Sequence, residues 1–305
     1  MDRRLPPHVY FVVSAVFHYL GPSFAVLLFA RVPVLGVAWL RIASAALIFA
    51  IWRRPVRTFR QADLATRRRL VAWGAVLAAM NCCFYEAISR LPLATVAAIE
   101  FLPVIALAAL GARTRRNVAA LALAVAGVYV LTGVHIASEA TGLGFAFANA
   151  GLFAAYIVLA HQVAQDPAVT GIDGLAASMV IAAGVVTPIT AAAAPGAARA
   201  IVDPTALLAG VGVGLSSSVI PYVTDQLAMA RLPRATYALM VSLLPATATV
   251  VGLIVLAQVP SVRDLTGLAF VIAGVALHRE PDPFTQPFAR SKVAIDCAKT
   301  LEERE

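Results

Sequence analysis

Residues 90–95 read Arg90-Leu91-Pro92-Leu93-Ala94-Thr95, and residues 231–236 read Arg231-Leu232-Pro233-Arg234-Ala235-Thr236. Phe101-Leu102-Pro103 follows the first copy, and Leu243-Leu244-Pro245 follows the second, one residue out of step. Each copy lies between two long apolar runs. A spanning helix needs about 20 consecutive apolar residues, and runs of that kind flank both copies and recur along the whole chain. Ten candidate spans can be drawn, at 8–30, 34–52, 70–89, 92–111, 117–134, 142–163, 172–193, 205–224, 234–257 and 265–278. The first copy joins spans three and four, and the second joins spans eight and nine. Five spans is an odd number, so the copies face opposite sides of the membrane. The expected fold is therefore an all-α membrane protein of ten transmembrane helices in two inverted five-helix repeats, a common transporter plan.

Composition points the same way. Of 305 residues, 61% are hydrophobic and 13% charged, with a mean hydropathy of +0.85. Soluble domains run near 45–50% apolar and about 25% charged, so lipid is the expected solvent. The net charge of +8 does not describe a nucleic-acid-binding face. The arginines fall in short blocks between apolar runs, as the positive-inside bias requires. With the N-terminus in the cytoplasm, 19 of the 24 Lys and Arg lie inside, seven of them in 53–69. Four lie outside, and Arg41 lies within a span. Both termini are thus expected in the cytoplasm of a multi-pass plasma-membrane (inner-membrane) protein. The expected organisation is a cytoplasmic N-terminus over 1–7, a first repeat over 8–134, a second over 142–278, and a disordered cytoplasmic tail over 279–305.

Cys82 and Cys83 sit in an apolar run and Cys297 in the polar tail, which makes neither a disulfide framework nor a metal-ligand pattern. No cofactor and no metal are expected. Gly214-Leu215-Ser216-Ser217 is a poor match to the GxSG of intramembrane serine proteases, and its base would have to be the distant His278. No ATP-binding loop or metalloprotease motif occurs. The chain is therefore not expected to be an enzyme, and its transport would be secondary.

Charges inside lipid cost about 2.5–3.5 kcal/mol each on insertion scales, so each needs a reason. Arg41 and Glu100 lie on different spans at depths of about 10 and 12 Å by helical rise. Asn81 lies on a third span at the same depth. Arg41 and Glu100 are expected to face each other or a common wet cavity. There Arg41 would offer a fork to a substrate carboxylate and Glu100 would bind an ammonium or a proton. Glu86, nearer the interface, is a second candidate for proton coupling. Asn149 and Tyr156 share a face of span six, and Ser216, Ser217, Ser218 and Tyr222 make span eight locally polar. His18 reads as a packing residue and Asp225 as a solvated boundary charge. Pro103 and Pro245 are expected to kink spans four and nine near a midplane site.

The segment Asn81-Cys82-Cys83-Phe84-Tyr85-Glu86-Ala87-Ile88-Ser89-Arg90-Leu91-Pro92-Leu93-Ala94-Thr95-Val96-Ala97-Ala98-Ile99-Glu100-Phe101 resembles the span three–four region of a known family. Ser218-Val219-Ile220-Pro221-Tyr222, Arg231-Leu232-Pro233 and Ser242-Leu243-Leu244-Pro245-Ala246 resemble its second half. That family is the drug/metabolite transporter superfamily, EamA type, in its threonine/homoserine exporter branch. The resemblance covers roughly residues 8–278. It implies a plasma-membrane secondary transporter that exports small amino acids or related metabolites, proton-coupled and working by alternating access. It adds Tyr222 and Ser242 to Arg41, Asn81, Glu100, Asn149 and Tyr156 as substrate-binding candidates. The chain departs from the branch at Gln258, where relatives are often acidic, and in the loop 161–173, which lacks Lys and Arg. A carrier of another solute class, such as a drug cation or a sugar derivative, is the alternative, and a non-transporting structural membrane protein a weaker one. The expected partners are a small-molecule substrate and the lipid bilayer, with no nucleic acid; a homodimer is compatible with the sequence.

Overall fold

The computed structural model describes residues 6–103, 105–106, 114–132, 139–164, 166, 169–229 and 243–277. The described residues form helices and connections only. The helices are α1 (Pro7–Leu28), α2 (Val34–Arg53), α3 (Pro55–Gln61), α4 (Leu64–Ile88), α5 (Leu93–Glu100), α6 (Arg115–Thr132), α7 (Ala140–Ala164) and α8 (Gly171–Ala193). After the 3-10 turn Pro195–Ala198 and the helical turn Arg199–Val202 come α9 (Pro204–Gly214), a π-helical turn (Leu215–Val219), α10 (Ile220–Met229), α11 (Leu244–Leu256) and α12 (Val262–Leu277). Six of these segments are long and apolar enough to cross a membrane: Val9–Leu28, Val34–Arg53, Leu64–Ile88, Ala140–Val163, Gly171–Ala193 and Pro204–Thr224. Large apolar side chains such as Leu47, Leu208 and Ile254 point away from the protein, 62%, 73% and 76% exposed, which suits a lipid solvent.

Local chemistry sets the ends. Asp63 caps α4, its carboxylate accepting from the Thr66 N–H at 2.7 Å, and this bond holds its carboxyl below the usual range. Thr170 caps α8 and Asp203 caps α9 in the same way. Ser261 and Asp264 form a reciprocal box at the start of α12. Arg53, at the end of α2, pairs with Asp173 at the start of α8 at 2.9 Å.

The structure departs from the sequence expectations in three places. Within 53–69, expected as a loop, α3 forms an extra turn of helix and packs on α8. The expected span 92–111 is not continuous: α5 stops at Glu100, Phe101 forms a turn, and the chain is helical again at 102–103 and 105–106. Proline has no N–H to give the Ile99 carbonyl and its ring crowds it, so the helix ends there. Pro245, expected inside span nine, instead stands in the first turn of α11, where a missing N–H costs nothing. The repeat copy 231–236, Ser242, the tail and His278 lie outside the described residues, as does the side chain of Asp225.

Two apolar clusters hold the helices together. One gathers α1, α5, α6, α7, α9, α11 and α12 with one part of α2 and of α4, and the other joins the remaining parts of α2 and α4 to α8 and Val163 of α7. The closest approaches are made by glycines. A Cβ on Gly127 would come within 2.6 Å of the Gly267 carbonyl oxygen, where α6 meets α12. One on Gly21 of α1 would strike Ser217 Oγ and come within 2.7 Å of the Ser217 nitrogen. One on Gly214 would strike Ser44 Oγ and come within 2.8 Å of the Arg41 carbonyl oxygen on α2. The π-turn is thus pinned between α1 and α2 by backbone contact. Gly21→Val and Gly127→Val are expected to cost about 1–3 kcal/mol each, read as a lower melting temperature in detergent. Gly184→Ala, where a new Cβ meets nothing within 4 Å, is the control and is expected to match or slightly exceed the parent.

Candidate functional site

Arg41 lies mid-way along α2 and is 7% exposed. Its Nε donates to Ser218 Oγ at 3.0 Å and its Nη2 donates to the Ser217 carbonyl at 3.1 Å. Both acceptors belong to the π-turn, which directs a backbone carbonyl sideways where an α-helix would keep it in its ladder. The guanidinium also sits over the Tyr85 ring, 5.5 Å from its centroid. Glu100, the last residue of α5, is 8% exposed and accepts from Asn149 Nδ2 of α7 at 3.2 Å. Arg41 and Glu100 form no ion pair; each takes a different protein partner. They remain within electrostatic reach of each other, as Arg41 is of His18 and Glu100 of Tyr19.

Six elements therefore converge: α1 with His18 and Tyr19, α2 with Arg41, α4 with Tyr85, α5 with Glu100, α7 with Asn149, and the π-turn with Ser217 and Ser218. Several of their polar atoms are buried with no hydrogen-bond partner among the described residues: Tyr19 Oη, Tyr85 Oη, Asn149 Oδ1 and Ser217 Oγ. Each such atom costs about 1–3 kcal/mol when left unsatisfied. Four of them cost roughly 4–12 kcal/mol, on the scale of a whole domain's stability. Such atoms are groups that a polar ligand or water can bind. Two backbone interruptions lie beside them. Pro22 inside α1 leaves the His18 carbonyl without its i+4 donor, and Pro103 does the same for Ile99. A groove of about 440 Å³ between α1 and α9 ends on Ser216.

The other expected site residues make further contacts. Asn81 donates to the Leu77 carbonyl of its own helix at 2.8 Å, one turn from Tyr85 on the same face. Glu86 pairs with Arg90 four residues on, at the half-exposed end of α4. Tyr156 packs against Trp73 and Phe153, and Tyr222 against the same apolar cluster. Ser216 Oγ bonds back to the Gly212 carbonyl at 2.7 Å, not to a general base. Gln258 Oε1 accepts from the Leu93 N–H at 3.1 Å. Tyr19 and Tyr85 were missed by sequence reasoning. The available signal was position: Tyr85 follows Asn81 by four residues, and Tyr19 adjoins His18, each a polar tip in an apolar run.

Two relatives bear on this arrangement. The threonine/homoserine exporter RhtA of Escherichia coli (strain K12) is 30% identical over 281 residues, which cover 89% of this chain and 91% of the relative. The chain belongs to the threonine/homoserine exporter branch of the drug/metabolite transporter superfamily. The protein of the same name from Salmonella typhimurium (strain LT2) is 29% identical over 294 residues, 92% of this chain and 96% of its own. No family model matches the chain. A solved crystal structure shares the fold, with a TM-score of 0.57 at 18% identity over 88% of this chain and 96% of that one. As a member of this branch the chain is a multi-pass membrane transport protein, and the polar cluster is its central feature.

Tyr19→Phe and Tyr85→Phe remove unpartnered hydroxyls and keep the rings. If the cluster exists for a ligand, both variants melt at or above the parent temperature, because a buried unsatisfied group has been deleted. A drop of several degrees in either would mean that the hydroxyl holds the fold.

Proposed function

We propose that the chain is a secondary transporter that exports small amino acids, threonine or homoserine among them, across the plasma membrane by alternating access and in exchange for protons. The observation that carries this is the central cluster: a cation and an anion within electrostatic reach of each other, each held by its own protein partner, among buried polar atoms without a partner in the described residues. A zwitterion carries the two charges that match them. Arg41 retains free N–H groups for a carboxylate, and Glu100 takes the ammonium. Glu100 also stands at the C-terminal, negative end of the α5 dipole, a place that favours a cation or a proton. It therefore alternates between the proton and the substrate ammonium. The hydroxyls of Tyr19, Tyr85 and Ser217 and the Asn149 carbonyl complete the substrate's hydrogen bonds. The names of the curated relatives support the substrate class.

The proposal includes ten spans in two inverted halves, with both termini in the cytoplasm. Its support is the pattern of packed helices. Taking α1, α2, α4, α5 and α6 as one half, their counterparts are α7, α8, α9–α10, α11 and α12. Exchange of halves turns α1·α10 into α4·α7, α4·α8 into α2·α9 and α1·α11 into α5·α7, and each of these pairs packs. The pairs α2·α8, α5·α11 and α6·α12 map onto themselves, as helices on a two-fold axis must. Glycine contacts follow the same rule. A Cβ on Gly74 of α4 would meet the Ile181 side chain and the Ser178 carbonyl of α8, as one on Gly214 would meet Ser44 and the Arg41 carbonyl of α2. The charge placement between spans supports the orientation.

In inside-out vesicles with an imposed proton gradient, radiolabelled threonine accumulates with the parent protein. With Glu100→Gln the rate falls about ten-fold or more, for a lost charge-assisted contact, and the remainder no longer responds to the gradient. A parental rate with unchanged gradient dependence overturns the role of Glu100.

A further inference from the structure

A mostly apolar cavity with a few polar groups in its wall lies away from the central cluster, at the end of the bundle that carries the α4–α5 and α11–α12 connections. Its volume is about 180 Å³, room for several waters or one small zwitterion. One wall is the start of α5. Pro92 precedes that helix and brings no side-chain oxygen, so the first N–H groups lack a cap from their own segment. The Leu93 N–H is taken instead by Gln258 Oε1 at 3.1 Å. Gln258 is held in place by the left-handed Ala257, φ 52°, and by its own N–H on the Gly252 carbonyl at 3.1 Å. The Ala94 N–H finds no acceptor among the described residues.

Thr95, on the next position of α5, is an independent sign of a ligand. It is 1% exposed and lines this cavity, and none of the hydrogen bonds among the described residues uses its hydroxyl. A buried threonine in lipid usually bonds back to its own helix, as Thr249 across the cavity does with the Pro245 carbonyl at 2.9 Å. Asp264 of α12 forms another part of the wall. Its Oδ2 accepts from the N–H and the hydroxyl of Ser261 at 2.9 and 2.7 Å, and none of the hydrogen bonds among the described residues uses its Oδ1. Hydrogen-bond donors and a helix N-terminus on one side, and a carboxylate on the other, match the two ends of an amino acid.

We propose that this cavity is a second amino-acid subsite, in which the N-terminus of α5 and the Thr95 hydroxyl hold the carboxylate and Asp264 holds the ammonium. The proposal rests on the amino-acid reading of the central cluster. An arriving carboxylate competes with Gln258 for the Leu93 N–H. That bond ties α5 to the end of α11, so filling the subsite releases the tie. In the proposed orientation this is the outer end, and the subsite is the last stop of an exported molecule, which opens the exit as it binds.

The test is equilibrium dialysis of radiolabelled threonine against the purified full chain in detergent, with Thr95→Val, Asp264→Asn, Gln258→Met and Tyr85→Phe variants. Valine keeps the shape of threonine, and asparagine keeps an oxygen for Ser261. The parent is expected to bind two threonines per chain. Thr95→Val and Asp264→Asn each weaken one class about ten-fold or more, and Tyr85→Phe weakens the other. Gln258→Met tightens the first class several-fold because the competitor is gone, an effect that mere loss of structure does not produce. A single class, weakened by Tyr85→Phe and indifferent to the other three, overturns the subsite and leaves the central reading standing. No threonine binding by the parent overturns both.

Discussion

A guanidinium inside a lipid-facing bundle must have its hydrogen bonds supplied by protein, and for Arg41 the supplier is the π-turn Leu215–Val219. Lipid offers no acceptors, so an unpaired arginine there is prohibitive. The turn frees the Ser217 carbonyl for Nη2 and presents Ser218 Oγ to Nε. Its position is fixed on both sides by glycine, with Gly21 of α1 against Ser217 and Gly214 against Ser44 and the Arg41 carbonyl. A larger residue at either place would push α1 or α2 away and strand the charge. The packing of α1, α2 and the π-turn and the burial of Arg41 are therefore one constraint seen from two sides.

With Arg41 held on one side, the opposite charge is free to be used. Glu100 ends α5 at the break ahead of Pro103, and among the described residues it takes one hydrogen bond, from Asn149. Pro22, Pro103 and the π-turn each interrupt a backbone ladder, and all three border the same cluster. In lipid such interruptions are tolerated only where protein or a polar cavity receives the freed groups. The open hydroxyls of Tyr19 and Tyr85 are the matching side-chain signature. Under the proposed two-fold, Ser178 is the counterpart of Arg41 and carries no charge. The cluster thus has a cationic side that its mirror position lacks, and a zwitterion bound there has a defined direction.

Residues 90–95 earn their prominence in the sequence through a different role from the one their repetition suggests. Arg90 pairs with Glu86 at the end of α4, Pro92 starts α5, and Leu93 donates to Gln258. Gln258, where the family is often acidic, still serves the start of α5, since a neutral amide oxygen is enough to accept one N–H.

The membrane assignment, six of the spans and the burial of Arg41 and Glu100 were legible in the sequence. They follow from local quantities: apolar run length, proline placement and rise per residue. So was the membership of Asn149 in the polar set, because a buried amide in an apolar helix is costly. The early end of α5 was half legible, since Pro103 announces an interruption without saying at which residue it falls. What only the tertiary structure decided was who meets whom. Arg41 does not pair with Glu100, because helix rotation and close glycine contacts give it the π-turn first. Tyr19 and Tyr85 look like ordinary aromatic packing residues until their neighbours are known. Asn81 bonds its own helix. Depth is a property of one segment and can be counted along the chain, whereas partnership depends on the rotation of several helices about their own axes, which is set only when they pack.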